Sequence, residues 1–388
     1  MKETEIRESR PELVWVNIIF FAITTVIAVI GAPFYIYHYG ISWSDWVLSG
    51  FYVAATAMSI TVGYHRLFAH RSFNAHPFIE FLVLFFGAAA FEQSALRWAS
   101  QHRNHHRYVD TDKDPYSIKK GFFYAHIGWL LFWNHPLNLE NAPDLSKNKM
   151  VRHQYRHYYL WAVMSGILLP LVIGALAGRP GGALILAVCL RLTLVYHSTF
   201  CINSVCHMFG KATYDIYSSA KDHWFVALLT FGEGYHNFHH RFSGDYRNAV
   251  RWYQWDPSKW AIYLMKCLGL ARDLKRVSTF RILDAKIAAQ NQKARDWIAS
   301  KVEKPHLSDL HLTLDRYYQE IRHKLLSWEQ AAHHYHTVIS HRIDSSKSEI
   351  QRAAVLQLKN AQDQFEAARR QWDSLLLRRL GLAFQKIK

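Results

Sequence analysis

The chain has 388 residues, half of them hydrophobic and 15% aromatic, with 14 tryptophans and a mean hydropathy of −0.11. This aromatic content is high for a soluble enzyme and typical of a protein with membrane interfaces to anchor. The formal net charge of +16 fits positively charged cytoplasmic loops and an anionic lipid surface, so we expect no nucleic-acid partner.

Apolar runs along the chain predict four membrane-spanning helices. Residues 13–36 and 46–64 are apolar and long enough to span. Residues 77–98 are also apolar but include acidic, amide and basic side chains, so we predict an amphipathic or re-entrant segment there. Two further spans are predicted at residues 158–177 and 183–205.

The connecting segments predict the orientation of these spans. Residues 65–157 contain twelve lysines and arginines, whereas the short turns 39–45 and 178–182 contain only Arg179. The positive-inside rule therefore puts both chain ends and the long middle segment in the cytosol.

Eight histidines fall into three clusters beside these runs, and we interpret them as metal ligands. His65 and His70 follow the second predicted span, and two His-x-x-His-His strings follow later, at 102–106 and 236–240. On a helix, the rings of such a string fan across about a quarter of the circumference, so each triad is expected to aim at one spot. Together the clusters offer more nitrogens than one metal uses, which predicts two metals.

The spacing of the first cluster differs from that of the other two. His65 and His70 would lie about 140° apart on an ideal helix, so we expect the helix to unwind there. Imidazole serves zinc, copper, iron and nickel alike, which leaves the metal open. Because only neutral imidazole binds metal, occupancy is expected to fall below about pH 6.5.

Beyond about residue 276 the apolar pattern becomes helical. Apolar residues recur at steps of three and four from 314 to 339 and again from 354 to 375, with a turn-prone segment at 344–348 between them. This pattern predicts an antiparallel helical hairpin or coiled coil. A helix at residues 279–302, ended by Pro305, is expected to precede it.

We therefore predict two domains. Residues 1–278 would form the membrane domain, and residues 279–388 a cytosolic helical extension that serves as a structural or oligomerising appendage. A docking surface for a redox partner is the alternative role for the extension.

Six strings within residues 13–270 resemble the membrane fatty acyl desaturases of the stearoyl-CoA desaturase type. They occur in order about the four predicted spans, which makes the resemblance specific. In chain order they are GYHRLFAH, WASQHRNHH, DTDKDP, GFFYAHIGWL, NSVCH and GEGYHNFHH.

The resemblance implies an all-α integral membrane fold with four transmembrane helices and a cytosolic helical cap that holds a di-iron site. Asn203 matches an asparagine that holds a metal-bound water, and it lies one helical turn before His207. The nine histidines implied as iron ligands are His65, His70, His102, His105, His106, His207, His236, His239 and His240.

The reaction implied is insertion of a cis double bond, at Δ9, into a saturated acyl chain, with O2 as co-substrate. The cofactor must break the methylene C–H bond, since no side-chain acid or base does so. The protein would supply a dry apolar tunnel, with walls expected from residues 51–60 and 190–199. Since no His-Pro-Gly-Gly haem-binding string occurs, two electrons are expected from a separate ferredoxin, haem protein or flavoprotein reductase.

The acyl carrier stays open between CoA and a membrane phospholipid. The animal acyl-CoA enzymes carry Arg-Asp and Arg-Lys pairs at the CoA head group, where this chain has Ser100-Gln101 and Trp133-Asn134. Trp98, Lys119 and Lys120 are the candidate substrate-binding residues. The resemblance is to a bacterial-like member without a fused haem domain, so we expect a bacterial inner membrane with a cytosolic active site.

Three alternative functions stay open. A di-iron membrane fatty acid hydroxylase would use the same chemistry, with oxygen rebound giving an alcohol. The second alternative is a non-catalytic membrane metal-binding or scaffold protein, in which the histidines would take part in no catalytic turnover. A zinc-dependent membrane hydrolase is disfavoured, because the histidine boxes show no obvious carboxylate general base.

Overall fold

The computed structural model describes residues 12–133, 139–301, 304–340 and 348–381, and nearly all of its regular structure is helical. In chain order the helices are α1 (Trp15–Tyr39), α2 (Trp43–Ala69), α3 (Pro77–Ala88), α4 (Ala95–Tyr108), α5 (Pro143–Lys147), α6 (Lys149–Arg156), α7 (Tyr158–Leu176), α8 (Pro180–Met208), α9 (Trp224–Leu229), α10 (His236–Arg241), α11 (Pro257–Cys267), α12 (Thr279–Lys301), α13 (Lys304–Ser340) and α14 (Ser348–Ser374). Single helical turns occupy Ile118–Lys120, Tyr124–Gly128, Trp129–Leu131 and Leu375–Arg379.

Two very short antiparallel strand pairs complete the regular structure. β1 (Glu12–Leu13) pairs with β3 (Phe132–Trp133), and β2 (Asn74–Ala75) pairs with β4 (Ala271–Arg272). The second pair joins the chain just after α2 to the chain just after α11.

Four helices of the described chain, α1, α2, α7 and α8, are long and apolar enough to cross a membrane. They coincide with the four predicted spans, so the expected all-α integral membrane fold is confirmed. The turn between α1 and α2 carries a capping box, in which the Asp45 N–H donates to Ser42 Oγ and the Ser42 N–H donates to Asp45 Oδ2. Arg179, at the start of α8, donates to the same Asp45 carboxylate at 2.8 Å.

The apolar segment 77–98 does not span, as predicted, but it is two helices rather than one. A turn separates α3 from α4, and in it Phe91 and Gln93 have positive φ angles of 58° and 75°. The Arg97 N–H then donates to Ser94 Oγ at 3.4 Å, a side-chain cap that begins α4.

A completely buried arginine holds this turn in place. Arg191 lies inside α8, where an arginine without hydrogen bonds would be costly. Its guanidinium donates to the carbonyl oxygens of Ala187 in α8, Ala89 after α3 and Gly166 in α7. One side chain therefore joins two spans to the end of α3.

Glycines allow α3 to pack directly on α2. A Cβ added to Gly63 would lie 2.6 Å from the Cβ of Val83, and one added to Gly87 would overlap the ring of Tyr64. Small residues of this kind let two helix backbones approach closely. Because Gly63 is two residues before His65, this contact also sets the position of that histidine.

The C-terminal helices α12, α13 and α14 share one hydrophobic core. The predicted apolar stripes are buried at Leu314, Ile321 and Leu325 in α13 and at Phe365 and Trp372 in α14. The expected hairpin is thus present, but α12 contributes Leu283, Ile287, Ala294 and Ile298 to the same core, so the extension is a three-helix bundle.

Two further expectations concern where these helices begin and end. We expected Pro305 to end the helix at 279–302; α12 already ends at Lys301, and Pro305 lies in the first turn of α13, where proline is tolerated. The predicted turn at 344–348 lies almost entirely outside the described residues. The chain divides into two compact units, residues 1–211 with 218–276, and residues 212–217 with 277–388. The domain boundary at residue 278 stays a prediction.

Substituting Gly63 by alanine should destabilise the membrane unit, because the new methyl group would overlap Val83. Overpacking of this kind typically costs about 1–3 kcal/mol. Gly50→Ala is the matched control in the same helix, since no atom lies within 4 Å of a Cβ there. Thermal unfolding of the purified protein should show a lower Tm for Gly63→Ala than for Gly50→Ala. Equal Tm values would contradict the packing described.

Candidate metal centre

All nine histidines proposed as metal ligands converge in the structure. They form two groups, and within each group the nearest ring nitrogens all lie within 4.8 Å of one another. The first group contains His65, His70, His102, His106 and His239. The second contains His105, His207, His236 and His240.

Each His-x-x-His-His string is divided between the two groups, which corrects the expectation that a triad aims at one spot. In α4, His102 and His106 face the first group and His105 the second. The reason is helical geometry. At about 100° per residue, position i+4 lies about 40° from position i in one direction, whereas i+3 lies about 60° from it in the other direction. In α10 the arrangement is reversed, and His239 alone serves the first group.

The first pair of histidines is brought together by a widened helix. The second half of α2, Ser59–Ala69, is π-helical, and the His70 N–H donates to the His65 carbonyl oxygen at 3.0 Å. A bond from residue i+5 to residue i places these residues one above the other. Their ring centroids are therefore 4.7 Å apart. The expected departure from α-helical geometry is confirmed, although the helix widens rather than unwinds.

Carboxylates fix which nitrogen points into each group. His65 Nδ1 lies 2.7 Å from Glu233 Oε2, and His105 Nδ1 lies 2.9 Å from Asp114 Oδ1. An ionised carboxylate accepts hydrogen bonds only, so the facing Nδ1 carries the proton and Nε2 keeps its lone pair. His207 Nδ1 similarly lies 2.6 Å from Ser219 Oγ.

Glu233 is itself held by a buried ion-pair network. Arg66 Nη2 lies 2.9 Å from Glu233 Oε1 and 3.0 Å from Asp256 Oδ1, and the Asn248 side-chain amide donates to Glu233 Oε2. Burial alone would raise the pKa of Glu233, but the charges and hydrogen bonds of His65 and Arg66 outweigh it and lower this pKa to about 2. The carboxylate is therefore ionised at any physiological pH.

The converging nitrogens have the spacing of ligands to a common metal ion. Nε2 atoms of neighbouring rings lie 2.8–3.2 Å apart. Lone pairs at this distance repel unless a cation lies between them. Two ligands at right angles on one metal, with bonds of about 2.1 Å, are themselves about 3.0 Å apart. The donor set thus suits two metal ions, one for each group.

Five of the site histidines outside the spans favour the neutral form. Burial first, and then the neighbouring imidazoles, lower the pKa of His70, His102, His106, His239 and His240 well below the usual range. Neutral imidazole is the form that binds metal, so the apoprotein is prepared for binding.

An apolar cavity of about 180 Å³ reaches the histidines. Its wall includes Ala57 of α2 and Thr199 of α8, which lie within the expected ranges 51–60 and 190–199. The wall extends beyond those ranges to Asn203 of α8 and to Phe20 and Phe21 of α1. The expected tunnel wall is therefore completed by the first span. His65 and His102 of the first group and His236 of the second all border this cavity.

Trp98, proposed to bind substrate, lies in the cavity wall. Its ring stacks on His102 with centroids 4.9 Å apart, and its Nε1–H donates to Glu92 Oε2 at 3.1 Å. Thr199 Oγ1 donates to the other oxygen of Glu92. Burial raises the pKa of Glu92 to about 7 despite these hydrogen bonds. Near neutral pH a substantial fraction of this carboxyl group is therefore protonated and uncharged.

The other candidate site residues are Asn203, proposed to hold a metal-bound water, and Lys119 and Lys120, proposed to bind substrate. Asn203 is half-buried and lines the cavity. Lys119 and Lys120 are exposed and lie outside the described cavity wall, and Lys120 Nζ lies 5.0 Å from the centre of the Tyr124 ring. Asp114, Glu233 and Ser219 were missed as ligand partners. The first two lie within strings that carry the family resemblance, which was the available signal.

Comparison with known proteins agrees with this geometry. The fatty acid desaturase family model matches residues 41–262, more than half of the chain. Acyl-CoA desaturase 1 of Saccharomyces cerevisiae is 42% identical over 267 residues, covering 68% of this chain and 52% of that protein. The sn-2 palmitoyl-lipid 9-desaturase of Nostoc sp. is 33% identical over 273 residues, covering 69% of this chain and 92% of that protein.

The human stearoyl-CoA desaturase is 33% identical over 297 residues, covering 73% of this chain and 80% of that protein. The chain belongs to the fatty acid desaturase family, and the predicted membership is confirmed. The match spans about half the length of the S. cerevisiae protein and of the probable acyl-CoA desaturase of Schizosaccharomyces pombe.

Replacing Glu233 by glutamine should weaken metal binding by about 10- to 100-fold, because His65 loses the carboxylate that orients it. Metal content after exposure to graded chelator, measured by mass spectrometry, tests this. Glu80→Gln is the control, since Glu80, on α3, accepts a hydrogen bond from the Asn148 side chain and contacts no site histidine in the described structure. Equal retention by the two variants would show that the carboxylate does not support the site.

The protein should retain its metal below pH 6.5, which is about the pKa of a free imidazole side chain. Protons compete for Nε2 only as the pH approaches the lowered pKa of the buried histidines. Glu233 stays ionised over this range because its pKa is about 2. Metal content after equilibration between pH 7.5 and 4.5 should therefore fall only well below 6.5. A half-loss at or above 6.5 would contradict the burial argument.

Proposed function

We propose that the protein is an oxygen-dependent fatty acyl desaturase that introduces a cis double bond, at Δ9, into a saturated acyl chain. The observation that carries this proposal is the cavity, whose apolar wall includes histidines of both groups. An acyl chain lying there would have its methylene groups beside the metal centre. Several family relatives are named as 9-desaturases or stearoyl-CoA desaturases, which supports the position.

Two iron ions are proposed as the cofactor, held by the nine histidines, with Asn203 contributing through a water molecule. Bound iron would supply the O2 activation that breaks an unactivated C–H bond. The residues of this chain do the rest. Glu233 and Asp114 hold the Nδ1 protons of His65 and His105, so that both rings present Nε2.

The cavity wall would position the substrate and exclude water. Phe20, Phe21 and Ala57 offer only apolar surface to the chain. Trp98 is fixed by its hydrogen bond to Glu92 and its stacking on His102, so it would hold the chain at a constant distance from the site. The raised pKa of Glu92 would limit charge inside this apolar space.

CoA is favoured over phospholipid as the acyl carrier. The relatives at 42% identity are named acyl-CoA desaturases, whereas the three lipid-linked relatives are 33–34% identical. The exposed Lys119 and Lys120 are proposed to face the carrier. The two electrons are proposed to come from a separate ferredoxin, haem protein or flavoprotein reductase.

The protein is an integral membrane protein, and a cytosolic active site is the finer proposal. The bacterial inner membrane stays a prediction, and the higher identity to yeast relatives favours a eukaryotic membrane instead. The C-terminal bundle, with residues 279–388 as its proposed domain, is proposed to support oligomer formation.

The test is expression in a host that lacks unsaturated fatty acids, with gas chromatography of total lipid. Wild-type protein should restore a monounsaturated acid, and His102→Ala or His239→Ala should abolish it. His334→Ala is the matched control, because that histidine is exposed on α13. A hydroxylated acid in place of the alkene would establish the hydroxylase instead. Unchanged unsaturation in both histidine variants would leave the centre without a catalytic role.

A further inference from the structure

The chain between α8 and α9 forms a closed loop. At its base, the Lys211 N–H donates to the Asp222 carbonyl oxygen at 3.0 Å, and the Asp222 N–H donates to the Lys211 carbonyl oxygen at 2.9 Å. Gly210 has a φ of 122°, and a Cβ there would lie 2.5 Å from the Asp222 carbonyl oxygen. Glycine therefore permits the two backbone segments to meet at the base. We call residues 212–221 the ligand loop.

The second half of the ligand loop contacts the metal centre. Ser219 Oγ lies 2.6 Å from His207 Nδ1, and the Ser219 N–H donates to Asp110 Oδ2 at 2.8 Å. Asp110 lies two residues after α4, which carries three of the site histidines. A hydroxyl oxygen that accepts the Nδ1 proton keeps the Nε2 lone pair of His207 directed at the second group of histidines. The position of Ser219 therefore sets the orientation of this ring.

The first half of the ligand loop belongs to the C-terminal unit. Residues 212–217 form one compact unit with residues 277–388. Lys293 of α12 donates from Nζ to the Ala212 carbonyl oxygen, and Lys286 Nζ lies 5.4 Å from the centre of the Tyr214 ring, within the range of a cation–π interaction. The two lysines are seven positions apart, so they share one face of α12.

The helix that carries these lysines is fixed in the extension bundle. Ile287 and Ala294, each the residue after one of the two lysines, are completely buried in the bundle core. Between them, Gln290 Oε1 accepts a hydrogen bond from Nε1 of the buried Trp372 at 2.9 Å. Because one side of α12 packs in this core, its lysines present two donors at fixed positions to the loop.

The two halves of the loop are joined by a very short stretch of chain. Only one residue, Ser218, lies between the segment that packs with α12 and Ser219. A residue of chain spans at most about 3.6 Å, so a displacement of the first half would pass to Ser219. The paired residues Lys211 and Asp222 close the base, so the loop has little slack with which to absorb such a displacement.

We propose that the C-terminal extension positions a metal ligand: Lys286 and Lys293 hold the ligand loop so that Ser219 orients His207. The three side chains are positioning residues, which act on the centre through His207. The inference rests on the proposed metal centre. Since His207 belongs to the second group of histidines, the extension should support the metal of that group more than the metal of the first.

The test compares full-length wild type with Lys286→Ala/Lys293→Ala, both loaded with iron(II). Iron content after exposure to graded chelator is measured by mass spectrometry. The lysine variant should release about half of its iron at about tenfold lower chelator than wild type, the scale expected when a group that orients a metal ligand is lost. Lys286→Arg/Lys293→Arg keeps both cationic donors and should restore the wild-type release.

A matched control separates loop support from general charge. Arg281→Ala/Lys301→Ala removes the same charge from exposed positions on α12 and should leave the release midpoint within about twofold. Amide exchange of residues 218–222 should be faster in the metal-free lysine variant than in this control, because the loop opens more often. The Tm of every variant is measured alongside to establish that it folds.

A mutant cycle tests whether the lysines act through Ser219. Ser219→Ala alone should reproduce the early iron release of the lysine variant. Adding Ser219→Ala to the lysine variant should then shift the midpoint little further, because changes that remove one shared interaction are not additive. Fully multiplicative effects would show that the lysines act elsewhere and would overturn the inference.

The outcomes distinguish this inference from the proposed function. Iron release is measured without turnover, so a protein that forms no double bond but shows the coupled release retains the positioning role and loses the desaturase assignment. Wild-type release by the lysine variant, in an enzyme that forms the alkene, overturns the inference and leaves the proposed function intact. An early release that the arginine variant does not restore assigns the lysines to general stability of the bundle and overturns the inference as well.

Discussion

Nine imidazoles can ligate metal ions within a small volume only if each ring turns a nitrogen lone pair, and not a proton, toward the metal. In this protein the condition depends on the groups behind the rings. Glu233 and Asp114 each face an Nδ1 atom within 2.9 Å, and Ser219 does the same for His207. Glu233 is kept ionised by Arg66, which also binds Asp256. The convergence of Nε2 atoms, and hence any metal chemistry, follows from these buried polar contacts.

Packing between the helices of the membrane unit positions these histidines. The π-helical half of α2 brings His65 and His70 together, and the close contact of α3 on Gly63 sets where this half lies. Arg191 joins α7 and α8 to the turn after α3, and this turn carries Phe91 and Glu92 into the cavity wall. The same elements thus shape the acyl cavity and place the histidines beside it. A change in packing between these helices would affect both at once.

The centre also has two chemically distinct sides. Buried histidines border the apolar cavity, while half-buried ones are followed by exposed arginines. The arginines of the histidine boxes also differ: Arg66 and Arg103 form ion pairs with Glu233 and Asp144, whereas Arg71, Arg107 and Arg241 are exposed.

Much of this protein is determined locally by its sequence. Runs of apolar residues decided the four spans, and the three- and four-residue periodicity decided the helices of the extension, since both depend only on neighbours along the chain. The nine histidines and Asn203 were proposed as ligands from motif spacing and family resemblance, but the division of the histidines into groups of five and four was not predicted. That division depends on how α2, α4, α8 and α10 meet. The partners of the histidines, the contribution of α1 to the cavity and the third helix of the extension bundle likewise depend on contacts between residues far apart in the chain, which only tertiary packing decides.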